Sequence, residues 1–282
     1  MDIQWYPGHM TKTRKQIQQN LKLIDVVLEL LDARIPASSR NPVIHDILQG
    51  KPRVIVLNKA DLADSVKTAQ WLKHFDKLGL PGVAVDSQRG VGVKQMLSKV
   101  SGQARPAIQK YIDKGRRARP ARCMVVGIPN VGKSMLINRL AGRSATRTGN
   151  RPGVTRGEQW IKLGDNLELL DMPGILWPKF EDPEVAFKLA VTGAIKEQIY
   201  DPYEICIRLV SWLTEAAPGA LNDRYGIGEV SGGPEEIMLA VGSKRGFYLS
   251  GGKIDSYKTA ILIIKEFREG RLGHHTLDLP EQ

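Results

Sequence analysis

Long apolar runs are missing from this chain of 282 residues. No uncharged apolar stretch reaches the roughly 18 residues that a membrane-spanning helix needs. The N-terminal thirty residues mix Asp2 with Lys12, Arg14, Lys15 and Lys22, a pattern that suits neither a membrane span nor a signal peptide. These absences predict a soluble protein of the cytoplasm that has no membrane partner.

Cysteine is also scarce, with two residues in the whole chain. Cys123 lies in an apolar stretch typical of a buried strand and Cys206 lies in a helical pattern. Neither has the spacing of metal ligands, so the pattern indicates neither a disulfide framework nor a zinc site. Both cysteines are predicted to be small core residues.

Acidic residues are nearly absent from one window, residues 101–160. It holds thirteen Lys and Arg against Asp113 and Glu158, while the remainder of the chain has 28 basic and 28 acidic residues. The whole net charge of +11 therefore belongs to this window. Such a density attracts phosphate, either of a nucleotide at one site or of a nucleic-acid backbone along a surface. A solvated surface that merely keeps the protein soluble is the alternative.

Apolar runs separated by turn residues predict strands in the first part of the chain. The run at 53–57 is fully apolar at its centre, which is typical of parallel strands covered on both faces. Residues 93–100 have the spacing of an amphipathic helix. Further strands are predicted at 25–31, 82–86, 123–126, 158–163 and 167–170. This alternation predicts an α/β fold with a mostly parallel sheet and helices on both faces.

The pattern becomes purely helical after Pro178. Three of the predicted helices begin with a proline, which the first helical turn tolerates. The segments with helical apolar spacing are 183–196, 202–216, 234–242 and 256–268. We therefore predict two domains, an α/β domain over residues 1–178 and a small all-α domain over residues 179–282.

The segment GIPNVGKS, from Gly127 to Ser134, matches a phosphate-binding loop between a strand and a helix. Its glycines let backbone N–H groups converge on phosphates at the positive end of the helix. Lys133 is expected to reach the β- and γ-phosphates, and the Ser134 hydroxyl to ligate magnesium. The predicted phosphate contacts are Asn130, Val131, Gly132, Lys133 and Ser134.

The segment NKAD follows the strand at 53–57, where ligands bind in open α/β sheets. Asp61 can accept hydrogen bonds from the guanine N1–H and 2-amino groups, Asn58 can hold the base edge, and the Lys59 stem can cover the ring. Adenine would leave the carboxylate unpaired, so GTP and GDP are favoured over adenine nucleotides. Asp86 and Ser87, after the next strand, are placed to contact the guanine O6 through backbone N–H.

Two switch segments follow the phosphate loop. Thr155 lies in a polar loop, where its hydroxyl can complete the magnesium shell when a γ-phosphate is present. In DMPG, Asp171 is placed to hold magnesium through water, and the Gly174 N–H to sense the γ-phosphate. Because NKAD precedes GIPNVGKS, whereas an ordinary GTPase has the reverse order, the domain is predicted to be a circularly permuted P-loop GTPase domain.

This order of motifs resembles the circularly permuted ribosome-assembly GTPases, and WYPGHM and DARIPASSRNP are similar to one branch of them. The resemblance covers essentially the whole chain. It implies a GTPase with a slow basal rate that the ribosomal subunit stimulates. It also implies that the chain binds the precursor of the large subunit, with rRNA and ribosomal proteins as partners, and promotes a late assembly step. We expect a monomer.

The catalytic candidates are His9, Lys133 and Thr155. The residue after DMPG is Ile175, which cannot orient water as the glutamine of many GTPases does. The resemblance marks His9, in PGHM, as a candidate for that task. Asn130 resembles the asparagine of cation-assisted GTPases, which implies that potassium binds there.

Two other functions remain open. The first is a GTPase that acts on tRNA or another RNA, although no cysteine or metal constellation is present for modification chemistry. The second is an RNA-binding scaffold whose GTP site is structural. For any RNA partner, seven basic side chains are candidate phosphate contacts, with simple exposure to solvent as the alternative for each. These are Arg116, Arg117, Arg119, Lys244, Arg245, Lys253 and Lys258.

Overall fold

The computed structural model describes residues 7–48, 50–142, 159–163, 166–174, 176 and 182–280. Within these residues, the strands are β1 Val26–Asp32, β2 Arg53–Asn58, β3 Gly82–Val85, β4 Ala121–Gly127, β5 Gln159–Leu163 and β6 Leu167–Asp171. The helices are α1 Pro7–Asn20, α2 Pro42–Ile47, α3 Ser65–Lys77, α4 Val93–Asp113, α5 Lys133–Ala141, α6 Pro183–Val191, α7 Pro202–Ala216, α8 Ala220–Tyr225, α9 Pro234–Lys244 and α10 Ser256–Arg268.

The strands form one sheet in the order β3-β2-β1-β4-β6-β5. All neighbouring pairs are parallel except β5 and β6, which are antiparallel. From β1 the chain adds β2 and β3 on one side and β4, β6 and β5 on the other. The strand order therefore reverses between β1 and β4, where ligands bind in open α/β sheets. The predicted α/β fold with a mostly parallel sheet is confirmed.

Both faces of the sheet are covered. Every residue of β1 and β2 is buried, as expected of central parallel strands. One face packs against α1 and α2 through residues such as Ile17 and Ile44, and against α3 through Trp71 and Phe75. Helix α4 contacts strands β1 to β4 and buries Met96, Val100 and Ala104. Cys123 and Cys206 are buried free thiols, as predicted.

The chain divides into two compact units, and it changes unit after residue 180 and again after residue 275. We call them the sheet unit and the helical unit. The boundary predicted at 178/179 lies close to the first change. Residues 276–280, however, pack on the sheet unit, whereas the predicted helical domain included them. Their anchoring contacts join positions about 200 residues apart, which no local pattern indicates.

The C-terminal tail is fixed by buried hydrogen bonds to the sheet unit. The Leu277 N–H donates to the carbonyl oxygen of Arg34 at 2.7 Å. The Asp278 carboxylate accepts from the backbone N–H of Ser38 at 2.7 Å and from its hydroxyl at 2.9 Å. The Trp71 indole N–H donates to the Asp278 carbonyl at 3.1 Å. The tail is therefore an integral part of the sheet unit.

Replacing Asp278 by alanine is expected to destabilise the sheet unit by about 2 kcal/mol, because it leaves the buried N–H and hydroxyl of Ser38 without an acceptor. Urea unfolding followed by tryptophan fluorescence measures the change. Leu279→Ala is the matched control, since that neighbouring side chain is 66% exposed. Equal stability of the Asp278 variant and the control would show that the tail contributes little.

The helical unit is built on α7, which packs against α9 and α10. Leu209, Leu213 and Ile263 are fully buried in it. Glu266 on α10 accepts two hydrogen bonds from Arg224 at 2.8 and 2.6 Å, and this pairing lowers the pKa of Glu266. Helix α6 ends at Val191, so the predicted helix at 183–196 is shorter than expected. No helix in the described ranges is long and apolar enough to cross a membrane.

Candidate functional site

The phosphate loop leaves β4 at Gly127 and ends where α5 begins at Lys133. Gly127 has φ 156°, and a Cβ there would lie 2.6 Å from the carbonyl oxygen of Leu30. Gly132 has φ 101°, and a Cβ there would lie 2.2 Å from Nδ2 of Asn58. The loop therefore needs glycine at both positions, because side chains rarely adopt these angles and have no space here. A cradle that excludes side chains leaves backbone N–H groups free to face an anion, which fits a phosphate chain.

Lys133 is held inside this loop. Its Nζ donates to the carbonyl oxygens of Gly127 at 3.0 Å and Ile128 at 2.8 Å. Burial lowers the pKa of Lys133 to about 8, and the nearby carboxylate of Asp171 opposes the shift. The ammonium group is thus poised among phosphate-loop carbonyls with little water around it. An arriving phosphate supplies the negative charge that a buried ammonium lacks.

The lowered pKa of Lys133 predicts that GDP binding weakens as the pH rises through 8. The free protein loses the proton near that pH, whereas bound phosphate favours the charged form. Between pH 7 and 8.5 the Kd is expected to rise about fourfold, as the protonated fraction falls. Isothermal calorimetry measures this dependence. In the Lys133→Arg variant the side chain stays charged, so its curve should be flat. A flat curve for the wild type would contradict the prediction.

Asn58 connects the guanine-side motif to the phosphate loop. Its Nδ2 donates to the carbonyl oxygen of Val131 at 2.8 Å, and its Oδ1 accepts from the Ser87 hydroxyl at 2.6 Å. Asn58 and Ser87 are almost fully buried. This side chain therefore ties together the loops that follow β2, β3 and β4. The structure thus brings NKAD, the Asp86–Ser87 pair and GIPNVGKS together at one edge of the sheet, as expected for loops that follow parallel strands.

Lys59 has a left-handed backbone with φ 58°. Its Nζ lies 3.1 Å from Oδ2 of Asp32, whose carboxylate also accepts from Arg34 Nε at 2.9 Å and Nη2 at 2.7 Å. Burial raises the pKa of the Asp32 carboxyl, but Arg34 and Lys59 outweigh that effect and the pKa lies well below its usual range. Asp32 thus holds the Lys59 ammonium, and Asp61 follows in a short 3₁₀ turn.

The loop after β3 is braced from two sides. The Asp86 carboxylate accepts from the backbone N–H groups of Gln88 at 2.8 Å and Arg89 at 2.9 Å. From α5, Arg139 Nη2 donates to the carbonyl oxygen of Arg89 at 2.5 Å. Asp32, Arg34 and Arg139 were not among the predicted site residues. The sequence holds one signal for Asp32 and Arg34, because the letters DAR stand at the end of β1. That strand lies beside β4, which leads into the phosphate loop.

The DMPG segment reaches the phosphate loop. Asp171 is buried at the end of β6, beside Val125 of β4. A Cβ on Gly174 would lie 2.8 Å from Lys133 Nζ and 2.9 Å from the backbone nitrogen of Pro129. Only glycine fits there, so its backbone can approach whatever the loop binds. Ser134 lies in the first turn of α5, which follows β4. Asp171 ends β6, the strand beside β4, so the two predicted magnesium ligands follow neighbouring strands.

The remaining predicted residues differ in what the structure shows of them. Asn130 is exposed with φ 57°, and Val131 is buried. His9 falls in α1, but its side chain lies outside the described residues, and so does Thr155. Arg119 is not a free surface cation: it forms two hydrogen bonds to Asp25, at 2.8 and 2.9 Å, which correct its assignment as a simple phosphate contact.

Solved structures and a family model match this arrangement. Structures of YlqF from Thermotoga maritima, in GDP-bound and GNP-bound forms, have a TM-score of 0.68 at 28% and 27% identity. The GNP-bound structure covers 96% of this chain and 99% of its own. The family model described as 50S ribosome-binding GTPase matches residues 122–209. That match begins at the strand before the phosphate loop, since the guanine-side half precedes it here.

The sheet order, the glycine cradle and the reversed motif order define a circularly permuted P-loop GTPase. Ribosome biogenesis GTPase A of Priestia megaterium is 48% identical over 283 residues, covering 100% of this chain and 98% of the relative. That of Thermotoga maritima is 30% identical and covers 99% and 95%. The chain belongs to the ribosome biogenesis GTPase A family. It binds guanine nucleotides, hydrolyses GTP and acts in ribosome assembly.

Proposed function

We propose that the protein is a GTP-driven switch that binds the precursor of the large ribosomal subunit and promotes a late step of its assembly. The observation that carries this proposal is the close approach of Gly174 to the phosphate loop, where an added Cβ would lie 2.8 Å from Lys133 Nζ and 2.9 Å from the Pro129 nitrogen. The DMPG segment lies against the phosphate loop, where it can respond to a γ-phosphate. From this segment the chain enters the helical unit within about ten residues. The names of the family model and of the relatives support the ribosomal partner.

The site residues divide the hydrolytic work. Backbone N–H groups of residues 130–134 hold the phosphates, and Lys133 neutralises charge that develops on the transferred group. Ser134, Asp171 and Thr155 would hold magnesium, which adds positive charge at the same phosphates. Asn58, Lys59, Asp61 and the backbone of Asp86 and Ser87 select guanine. His9 is the candidate for orienting water, since Ile175 cannot.

Potassium is expected to stimulate turnover more than sodium does, because Asn130, which is exposed in the phosphate loop, resembles the asparagine of cation-assisted GTPases that helps to hold such an ion. A cation there would replace the charge of an arginine finger, which is worth roughly 10³- to 10⁵-fold. Steady-state phosphate release in KCl and NaCl at equal ionic strength measures the effect. The Asn130→Ala variant should respond equally to both salts. A wild type that is indifferent to the cation would exclude this role.

The helical unit is the proposed ribosome-binding part. Its α9–α10 end presents exposed Lys244, Arg245, Lys253 and Lys258. Tyr248 and Tyr257 are 54% and 56% exposed beside them. Exposed aromatic rings flanked by cations are typical of surfaces that bind single-stranded or looped RNA.

Co-sedimentation with purified large subunits tests the switch. If the γ-phosphate orders the DMPG segment and with it the helical unit, a non-hydrolysable GTP analogue should bring at least about tenfold more protein into the pellet than GDP does. Small subunits serve as the control and should retain little protein with either nucleotide. Equal retention with GDP and with the analogue would refute the switch.

A further inference from the structure

A basic surface lies at the edge of the sheet opposite the nucleotide site. Strands β1 and β4 are parallel and begin at Val26 and Ala121, so their amino ends share one edge. The nucleotide motifs follow the carboxyl ends of the strands. Since a strand rises about 3.3 Å per residue, the seven residues of β4 separate the two edges by roughly 20 Å. Charge at the amino edge therefore does not serve the bound nucleotide.

The stretch from α4 to β4 supplies this charge. Helix α4 buries no residue after Ala104, so its last turns leave the core. From residue 105 to residue 119 the chain has six Lys and Arg and one acidic residue, Asp113. Asp113 accepts a hydrogen bond from Gln109 at 2.8 Å. We call the exposed cations of this stretch the amino-edge surface. They are Arg105, Lys110, Lys114, Arg116 and Arg117.

An ion pair at the strand ends fixes the geometry of this surface. Asp25 accepts two hydrogen bonds from the Arg119 guanidinium and a third from the backbone N–H of Arg122 at 2.8 Å. The Arg119 guanidinium lies 5.1 Å from the centroid of the Tyr111 ring, and that of Arg116 lies at the same distance from it. Arg119 and Tyr111 thus position the exposed Arg116 through contacts that reach back to the buried Asp25.

We infer that the amino-edge surface binds the phosphate backbone of structured RNA. Guanidinium groups match phosphate oxygens with two parallel hydrogen bonds, and a positioned one loses less freedom on binding. The Tyr111 ring is engaged by guanidinium groups, so the surface offers charged edges and not an open stacking platform. This is the chemistry that recognises double-helical RNA by its shape and backbone. The choice of RNA rests on the proposed function.

The Arg116→Ala/Arg117→Ala double variant tests this inference. Binding of a labelled double-helical RNA is measured by fluorescence anisotropy at several KCl concentrations. We expect binding to weaken at least about tenfold and the slope of log K against log salt to fall by about 2, one for each lost phosphate contact. Lys73→Ala/Lys77→Ala, which removes two exposed charges from α3, is the matched control and should change binding less than twofold. GDP affinity should be unchanged in both.

Two further variants report on the positioning role of Tyr111. Tyr111→Leu removes the ring beside Arg116 and should weaken RNA binding several-fold, whereas Tyr111→Phe retains the ring and should restore it. Equal RNA affinity of wild type and the Arg116/Arg117 variant would overturn the inference, while subunit-stimulated hydrolysis would still support the proposed function. Wild-type protein that binds phosphatidylglycerol vesicles but no RNA would overturn the choice of RNA. Failure to bind large subunits would instead reject the proposed function.

Discussion

The Lys133→Ala variant is expected to lose about 10³-fold in GTP turnover. The ammonium lies 3.0 and 2.8 Å from two phosphate-loop carbonyls and is fixed before nucleotide arrives. A preorganised charge in a site with little water stabilises the transition state more than a mobile one does, because no reorganisation is needed. Single-turnover phosphate release measures the loss.

A loss of fold would not explain this result. The buried ammonium has a pKa lowered to about 8, so its charge is costly in the nucleotide-free protein. Removing it should leave the melting temperature without nucleotide unchanged or slightly higher. Lys94→Ala, which removes an exposed lysine of α4, is the control and should retain full turnover. Turnover of the Lys133 variant within tenfold of the wild type would remove this lysine from the catalytic site.

The Asp61→Asn variant is expected to exchange guanine for xanthine. A carboxylate accepts hydrogen bonds from the N1–H and 2-amino groups of guanine, whereas xanthine has a carbonyl at C2 and needs a donor there. The asparagine amide supplies that donor. The substitution should weaken GDP binding about 10³-fold and bring xanthosine diphosphate to comparable affinity with wild-type GDP binding, since buried groups without partners are costly.

Competition with a fluorescent nucleotide measures both affinities in one experiment. Asp76→Asn, an exposed carboxylate near the end of α3, controls for the loss of one negative charge and should leave the preference for guanine intact. If the Asp61 variant retained the guanine preference, the base would be read by other residues. The loop after β3, braced by Asp86 and Arg139, would then be the first candidate.

The sheet was predictable because its strands are buried on both faces. An apolar run such as residues 53–57 is stable only where both of its faces are covered, and each predicted strand is present. Helices α2 and α8 have six residues each, too few to establish a period. Helix α4 continues to Asp113 through turns that bury no residue, so no apolar pattern marks its end. Helix α3 is missing from the predicted elements, although Thr68, Trp71 and Phe75 are spaced along one face.

The site was predictable where a motif carries its own chemistry. GIPNVGKS, NKAD and DMPG each come at the carboxyl end of a strand. Because these strands are parallel, their carboxyl ends lie at one edge of the sheet. Contacts between distant segments were not predictable. The bond from Asn58 to Val131 spans 73 residues, and the bonds from Ser38 to Asp278 span 240. Such pairs leave no periodic or local pattern in a single sequence. The packing of the C-terminal tail and the hydrogen bond from Arg139 to the loop after β3 were therefore found only in the structure.

GTP hydrolysis by the purified protein in the presence of large subunits, small subunits or bulk tRNA, compared in parallel at equal RNA mass, distinguishes the ribosomal switch from the two other functions. We expect a slow basal rate that large subunits raise at least about tenfold, while small subunits and tRNA leave it nearly unchanged. Stimulation by tRNA alone would indicate a GTPase that acts on tRNA. A rate that no RNA changes, despite tight binding to large subunits, would contradict the switch and leave a scaffold with a structural GTP site.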